Sequence, residues 1–345
     1  MTTACSFTTI HRLWDKSQRL KTTAFSLKSK PKDFSKRQTC MLVIFAIFLL
    51  AGCGEAEATE EKIEIVIVQN NWGSSQVNAE VAKQLIESEL GFETELVNLD
   101  ENAQWSEIAQ GDAHVSLEIW PSGHVDNISE FIEKQRTVAY AGLLGPVGRI
   151  GWFVPDYVLE EYPQAVTWEG LMEPEVADYF STAETGDKGQ ILGPGRQDRT
   201  HEEAIISNLG LPYEVIYAES EPGILAGVEA AIDREGPILF YLWTPHVIHA
   251  EHELTEVELP EYYPGCHDVP AAVDCAYPDE LLFKIVWGEL AVEAPAVYTF
   301  IRNMELTLDD QIGMLAEIKE DEITPTKAAE HWIEANKDVW KTWLP

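Results

Sequence analysis

The sequence predicts an α/β fold of two lobes around a cleft, with two hinge-crossing strands between them. Three observations predict it. Strand-like and helix-like segments alternate from Ile63 to Ile119, the order of a parallel sheet with right-handed crossovers. A second alternating unit begins at Gly151, and Pro155 marks the crossing between lobes. A strand-like run, Leu282–Trp287, then returns to the first unit and hands on to helical segments. The length of 345 residues suits two lobes plus a processed leader better than one minimal domain. On this reading residues 62–153 and 281–345 form the first lobe and 154–280 the second. Such architectures close on a ligand by a hinge.

The leader comes first. Lys36 and Arg37 precede Met41–Ala51, a run of almost purely apolar side chains. As a helix it is roughly 17 Å long, short of the ~30 Å hydrocarbon core, so it fits a signal-peptide h-region rather than a membrane span. The run ends in Leu50-Ala51-Gly52-Cys53, which resembles the bacterial lipobox. That resemblance implies a signal peptide over residues 1–52, lipidation of Cys53 and a membrane anchor outside the cytoplasm. Residues 53–61 are small and acidic, the composition of a tether.

In the first lobe, Ile63–Gln69 alternates and is β-branched, as a buried strand does. Ser74 or Ser75 can cap the next helix, where Val77, Val81, Leu85 and Leu90 recur near helical spacing. Glu95–Asn98 and His114–Ile119 read as strands around a helix over Gln104–Gln110. In the second lobe, Gly151–Val154 is a strand, Glu202–Leu209 helical, Glu214–Tyr217 extended and Ile224–Arg234 helical. Gly236-Pro237 introduces an apolar strand, Ile238–Leu242. The C-terminal helices are Pro295–Met304, Leu308–Ile318 and one capped by Thr324 with Pro325 at its first position.

Charge excludes some functions. Up to Cys53 there are nine basic and two acidic residues, which leaves 15 basic against 57 acidic beyond it. A surface that acidic argues against nucleic acid or anionic lipid as a partner. Cys266 and Cys275 are the only cysteines left for the folded body. Nine residues apart in a loop, they suit a small disulfide in an oxidising compartment, with a metal pair as the alternative. His246, His249 and His252 recur every three residues, a spacing that drifts around a helix and does not gather three metal ligands. H-E-x-x-H, G-x-S-x-G, P-loop and G-x-G-x-x-G motifs are all absent. No catalysed reaction, cofactor or metal is therefore expected.

Three tryptophans fall at strand ends. Trp72 follows the first strand, Trp120 the third, and Trp243 the apolar strand of the second lobe. Ligands of open parallel sheets bind beyond the carboxyl ends of strands. Indole faces suit a quaternary ammonium, which donates no hydrogen bond and is held by cation–π contact at roughly 2 kcal/mol per face at best. Three faces give about 6 kcal/mol where micromolar affinity needs about 8, so a ligand carboxylate is a natural further handle. Gly193-Pro194-Gly195 leads to Thr200-His201-Glu202-Glu203, a capping-box pattern whose helix N-terminus, with Arg199 beside it, favours an anion.

Glu118-Ile119-Trp120-Pro121-Ser122-Gly123-His124 resembles a signature of the glycine betaine-binding proteins of ABC importers. The resemblance implies that Trp120 belongs to an aromatic box and that His124 contacts the betaine carboxylate. Phe240-Tyr241-Leu242-Trp243-Thr244-Pro245-His246 resembles a second signature, implying a box role for Trp243 and a site role for His246. Trp72 in Asn71-Trp72-Gly73 matches an aromatic position of choline-binding relatives. Two departures stand out. Arg196–Thr200 lacks a Trp that some members carry there, leaving Trp72 or Trp152 to complete the box. Ser74 stands where choline-type members carry an Asp, which favours a carboxylated ligand over choline. The resemblance implies a type II periplasmic-binding-protein-like fold that delivers a quaternary-ammonium solute to an ABC permease and its ATPase. The alternatives are another methylated onium solute (carnitine, proline betaine, choline or a sulfonium analogue) or a solute sensor.

Overall fold

A computed structural model describes residues 62–195, 200–218 and 220–345. The leader, the tether, Cys53 and Arg199 lie outside these. The first strands follow the expected order. β1 (Ile65–Gln69) leads to α1 (Gly73–Leu85), β2 (Thr94–Asn98), α2 (Ala103–Gln110) and β3 (Val115–Ile119), and β1 lies between β2 and β3, parallel to both. Every residue of β3 is buried.

β4 (Val138–Pro155) is much longer than the Gly151–Val154 strand predicted. Gly142 and Gly145 adopt φ of 98° and 127° within it, and these bends hide one long strand among small residues. Its N-terminal half pairs antiparallel with β9 (Glu280–Trp287), and β9 pairs antiparallel with β3. Its C-terminal half pairs with β7 (Phe240–Thr244) and β8 (Leu254–Glu256) in the second lobe. That half-and-half pairing makes β4 a crossing strand.

The second lobe adds β5 (Gly189–Gly193), α3 (Glu202–Leu209), β6 (Tyr213–Tyr217) and α4 (Glu221–Ile232) before β7. The short α5 (Ile248–Glu251) follows it. β5 is parallel to β6 and β7. Ser220 caps α4 by accepting the Gly223 N–H, and Pro222 sits in its first turn, so the helix starts three residues before the expected Ile224. After β9 come α6 (Pro295–Asn303), α7 (Leu308–Glu320) and α8 (Pro325–Ala335), which return to the first lobe, α7 and α8 packing on α1 and α6 on β4 and β9. Thr324 caps α8 as expected.

Separate apolar clusters fill the two lobes, one around Ile67, Val81 and Phe300, another around Trp152, Ile191 and Ile205. Burying side chains of this size is worth roughly 1.5–3 kcal/mol each. Cys266 and Cys275 form a disulfide in the second cluster, with Cα atoms 6.5 Å apart. No helix among the described residues is long and apolar enough to cross a membrane.

Candidate functional site

One buried carboxylate organises the first lobe's side of the cleft. Glu118 is 1% exposed within β3. Its Oε1 accepts the Trp72 indole N–H at 2.8 Å, the Ser74 hydroxyl at 2.9 Å and the Trp120 indole N–H at 3.0 Å. Its Oε2 accepts Asn78 Nδ2 at 2.8 Å, and Asn78 Oδ1 accepts Gln311 Nε2 of α7 at 2.8 Å. The two indole nitrogens thus meet at one oxygen. Burial pushes the Glu118 carboxyl up to about 7, against the lowering effect of those donors, and Glu221 adds to the rise. Ser74 and Ser75 do not cap α1, whose N-cap is Trp72. Ser74 is committed to Glu118, while Ser75 accepts the Asn70 N–H. Gly148 lets the Trp120 ring lie on β4, because a Cβ there would come within 2.5 Å of Cζ3.

The second lobe's side is aromatic. The strand predicted over Ile238–Leu242 is shifted to Phe240–Thr244, so Trp243 lies inside β7 rather than after it. Tyr241 and Trp243 therefore share a face, with ring centroids 6.1 Å apart, and Tyr277 packs on Tyr241 at 6.1 Å. The His246 ring stands edge-on to Trp243 at 5.4 Å. His246 Nδ1 accepts the Ile248 N–H, which leaves the proton on Nε2 to bond Glu221 Oε1 at 2.9 Å. That Glu221 oxygen lies 4.0 Å from the place a Cβ of Gly73 would take, beside Trp72. The two walls meet there.

Trp72, Trp120 and Trp243, all partly exposed, are thus brought to one inter-lobe region together with His246. Other expected residues are placed differently. His124 is buried and accepts the Trp105 indole N–H at Nδ1, 3.3 Å away, while its Nε2 lies 3.5 Å from Glu101. Both ring nitrogens face protein partners rather than a ligand carboxylate. Trp152 lies opposite Tyr241 in the ladder but is fully buried in the second lobe's core, offering no open face to the cleft. The capping box over Thr200–Glu203 does not form. α3 has His201 as its N-cap without a side-chain cap; the Thr200 side chain bonds Glu202 instead, and Glu203 accepts the Tyr217 hydroxyl at 2.6 Å. The His201 N–H donates to the Tyr277 hydroxyl at 3.0 Å. Burial lowers the His201 and His249 imidazoles to about 4.

Sequence reasoning passed over Glu118, Glu221, Tyr241 and Tyr277. The signal for Glu118 was an acidic residue flanked by Leu117 and Ile119 inside a strand, and for Tyr241 its i, i+2 relation to Trp243.

Two lobes joined by the crossing strand β4, with Trp72 and Trp120 on one and Trp243 on the other, give the frame of a solute-binding protein. A family model described as the substrate-binding domain of an ABC-type glycine betaine transport system matches residues 63–335, and the chain belongs to this family. A trimethylamine N-oxide-binding protein of Pelagibacter ubique is 27% identical over 313 residues, covering 88% of this chain and 98% of the relative. Lactococcal OpuAC, in its closed conformation with glycine betaine, matches in fold with TM-score 0.63 at 20% identity, over 82% of this chain and 99% of that one. An ABC-transporter choline-binding protein in complex with choline gives 0.61 at 21% identity, over 81% and 91%.

Proposed function

We propose that this protein captures a small trimethylated onium solute between the indoles of Trp72, Trp120 and Trp243 and delivers it to an ABC permease. The observation that carries this reading is the pair of indoles held by one Glu118 oxygen, with Trp243 on the facing lobe. Rings fixed by their N–H groups present their faces without further loss of rotamer freedom, as a preorganised cation–π site requires. The buried Glu118 carboxyl behind the rings, once ionised above about 7, adds a field that favours a cation. Lobe closure presents the loaded protein to the permease, and lipidation of Cys53 holds it at the membrane outside the cytoplasm.

Glycine betaine is the first member of the class to consider, with a role in osmoprotection. Trimethylamine N-oxide is the second, and a specific observation favours it. His124 and one N–H of the expected anion site at the start of α3, that of His201, are engaged by Trp105 and Tyr277 instead, and an N-oxide needs no carboxylate site. Calorimetry of the mature domain against glycine betaine, trimethylamine N-oxide, choline and carnitine tests the class, with micromolar binding of at least one expected. Binding of none would end the reading. Arg199→Ala separates the two members. It is expected to weaken glycine betaine binding about tenfold if Arg199 holds a carboxylate and to leave trimethylamine N-oxide unchanged.

A further inference from the structure

Glu280, the first residue of β9, is a second buried carboxylate at the junction of the lobes and is 1% exposed. Its Oε2 accepts the Ser122 N–H at 3.1 Å, and the Ser122 hydroxyl is also turned to the carboxyl group. Oε1 has no hydrogen-bond partner among the described residues. Burial raises the Glu280 carboxyl above its ordinary value, with Ser122 and His124 acting to lower it, and an unmatched buried oxygen is costly, so the group is retained where something repays the cost. Capping the short turn at Pro121–His124 needs one oxygen only.

The register fixes the face from which the side chain rises. Glu280 lies directly opposite Gly148 in the antiparallel β4–β9 ladder. Opposed residues send their side chains to the same face, about 5 Å apart. On that face the Gly148 side-chain space is filled by the six-membered ring of Trp120, whose Cζ3 and Cη2 would sit 2.5 and 2.7 Å from a Cβ. The Glu280 side chain therefore rises beside the Trp120 ring, consistent with its bond to Ser122 two residues further on. His124 of the first lobe acts on its charge, and its charge acts in turn on Tyr262 of the second. Asp279 is the other nearby charge; it is also negative and is itself paired with Arg149 at 3.2 Å.

We propose that Glu280 is a specificity-determining residue whose free carboxylate oxygen faces the methylated cation at the edge of Trp120. It would supply a fixed counter-charge to the polarised N-methyl C–H groups. The inference rests on the onium reading above and makes Glu280 the group that distinguishes N⁺ from an equally shaped neutral carbon. Cation–π attraction makes the same distinction through the rings, so the two contributions must be separated by substitution at Glu280 alone.

The test uses the tightest-binding onium of the calorimetric panel and its neutral carbon isostere (3,3-dimethylbutyrate for glycine betaine, tert-butanol for trimethylamine N-oxide). Glu280→Gln keeps the side-chain length and an acceptor for Ser122 but removes the charge. The preference for the onium over its isostere should narrow about tenfold in this variant, whereas a merely structural role would weaken both ligands alike. An unchanged ratio overturns the proposal and leaves the onium reading standing. If the wild-type protein binds no onium, that reading fails and this one with it. Should Glu280→Gln not fold, Glu280→Asp, which keeps the charge but withdraws it by one carbon, is expected to narrow the ratio several-fold. An unchanged ratio there is equally fatal.

Discussion

The two walls of the cleft are built by different means. On the first lobe, four donors from Trp72, Ser74, Asn78 and Trp120 converge on a single buried carboxylate, and α7 braces the set through Gln311. On the second lobe, Trp243 is held by ring packing against Tyr241 and His246 and by one His246–Glu221 pair that is partly open to water. Directed hydrogen bonds fix a ring's angle, whereas ring packing tolerates rotation. On the proposed reading the first wall is the preformed half of the site, and the second completes it as the lobes close. A surface contact joins them, with Lys319 of α7 reaching Glu229 at 2.6 Å and also Glu251, both of the second lobe.

The comparison breaks most visibly under removal of each wall's anchoring carboxylate. Glu118→Ala strands several donors and opens a cavity, at a cost of roughly 2–4 kcal/mol in the ligand-free protein. Glu221→Ala, where water can replace the lost partner, costs about 1 kcal/mol. Urea denaturation measures both, and equal costs would mean the walls are equally organised.

Opposite pH dependence sharpens the contrast. Glu118 has its carboxyl raised by burial from 4.5 to about 7. Between those values the native state keeps a proton that the unfolded chain releases, so stability falls as pH rises through that window, by up to roughly 3 kcal/mol. His249, which bonds the Trp243 carbonyl, is lowered by burial from 6.5 to about 4. There the unfolded chain takes up the proton first, so stability falls as pH drops through that window. Thermal melts across pH 4–8 should show the rising-pH loss vanish in Glu118→Gln and the acid loss shrink in His249→Gln. Unaltered profiles would remove both groups from the account of stability.

The smallest effect belongs to the surface bridge. Lys319→Ala is expected to weaken solute affinity two- to fivefold, since partly exposed pairs contribute about 0–1 kcal/mol. The difference should disappear near 1 M salt, where screening is nearly complete. A salt-independent loss would point to packing of the lysine stem instead.

Local pattern carried much of the fold. β1, β3 and α3 stand within two residues of their expected limits because periodicity and burial agree there. β4 was hidden because its glycines mark bends within a strand, and a glycine-rich stretch reads as a break. At the proposed site, strand-end placement together with the resemblance pointed to Trp72, Trp120 and Trp243, which the structure leaves partly exposed. Glu118 was not, since its partners Trp72, Ser74 and Asn78 lie 40 or more residues away in sequence. His124 shows the opposite failure. The motif named it, but the Trp105 indole, 19 residues earlier in sequence, donates to its ring.

Both walls must contribute an indole to one cation, and parallel titration of Trp120→Ala and Trp243→Ala with the panel's tightest-binding onium measures that directly. Each variant is expected to bind at least tenfold more weakly than the wild type, the loss of one desolvated face at about 1–2 kcal/mol. Wild-type affinity in either variant would take that wall out of the site and contradict closure of two lobes around a methylated cation.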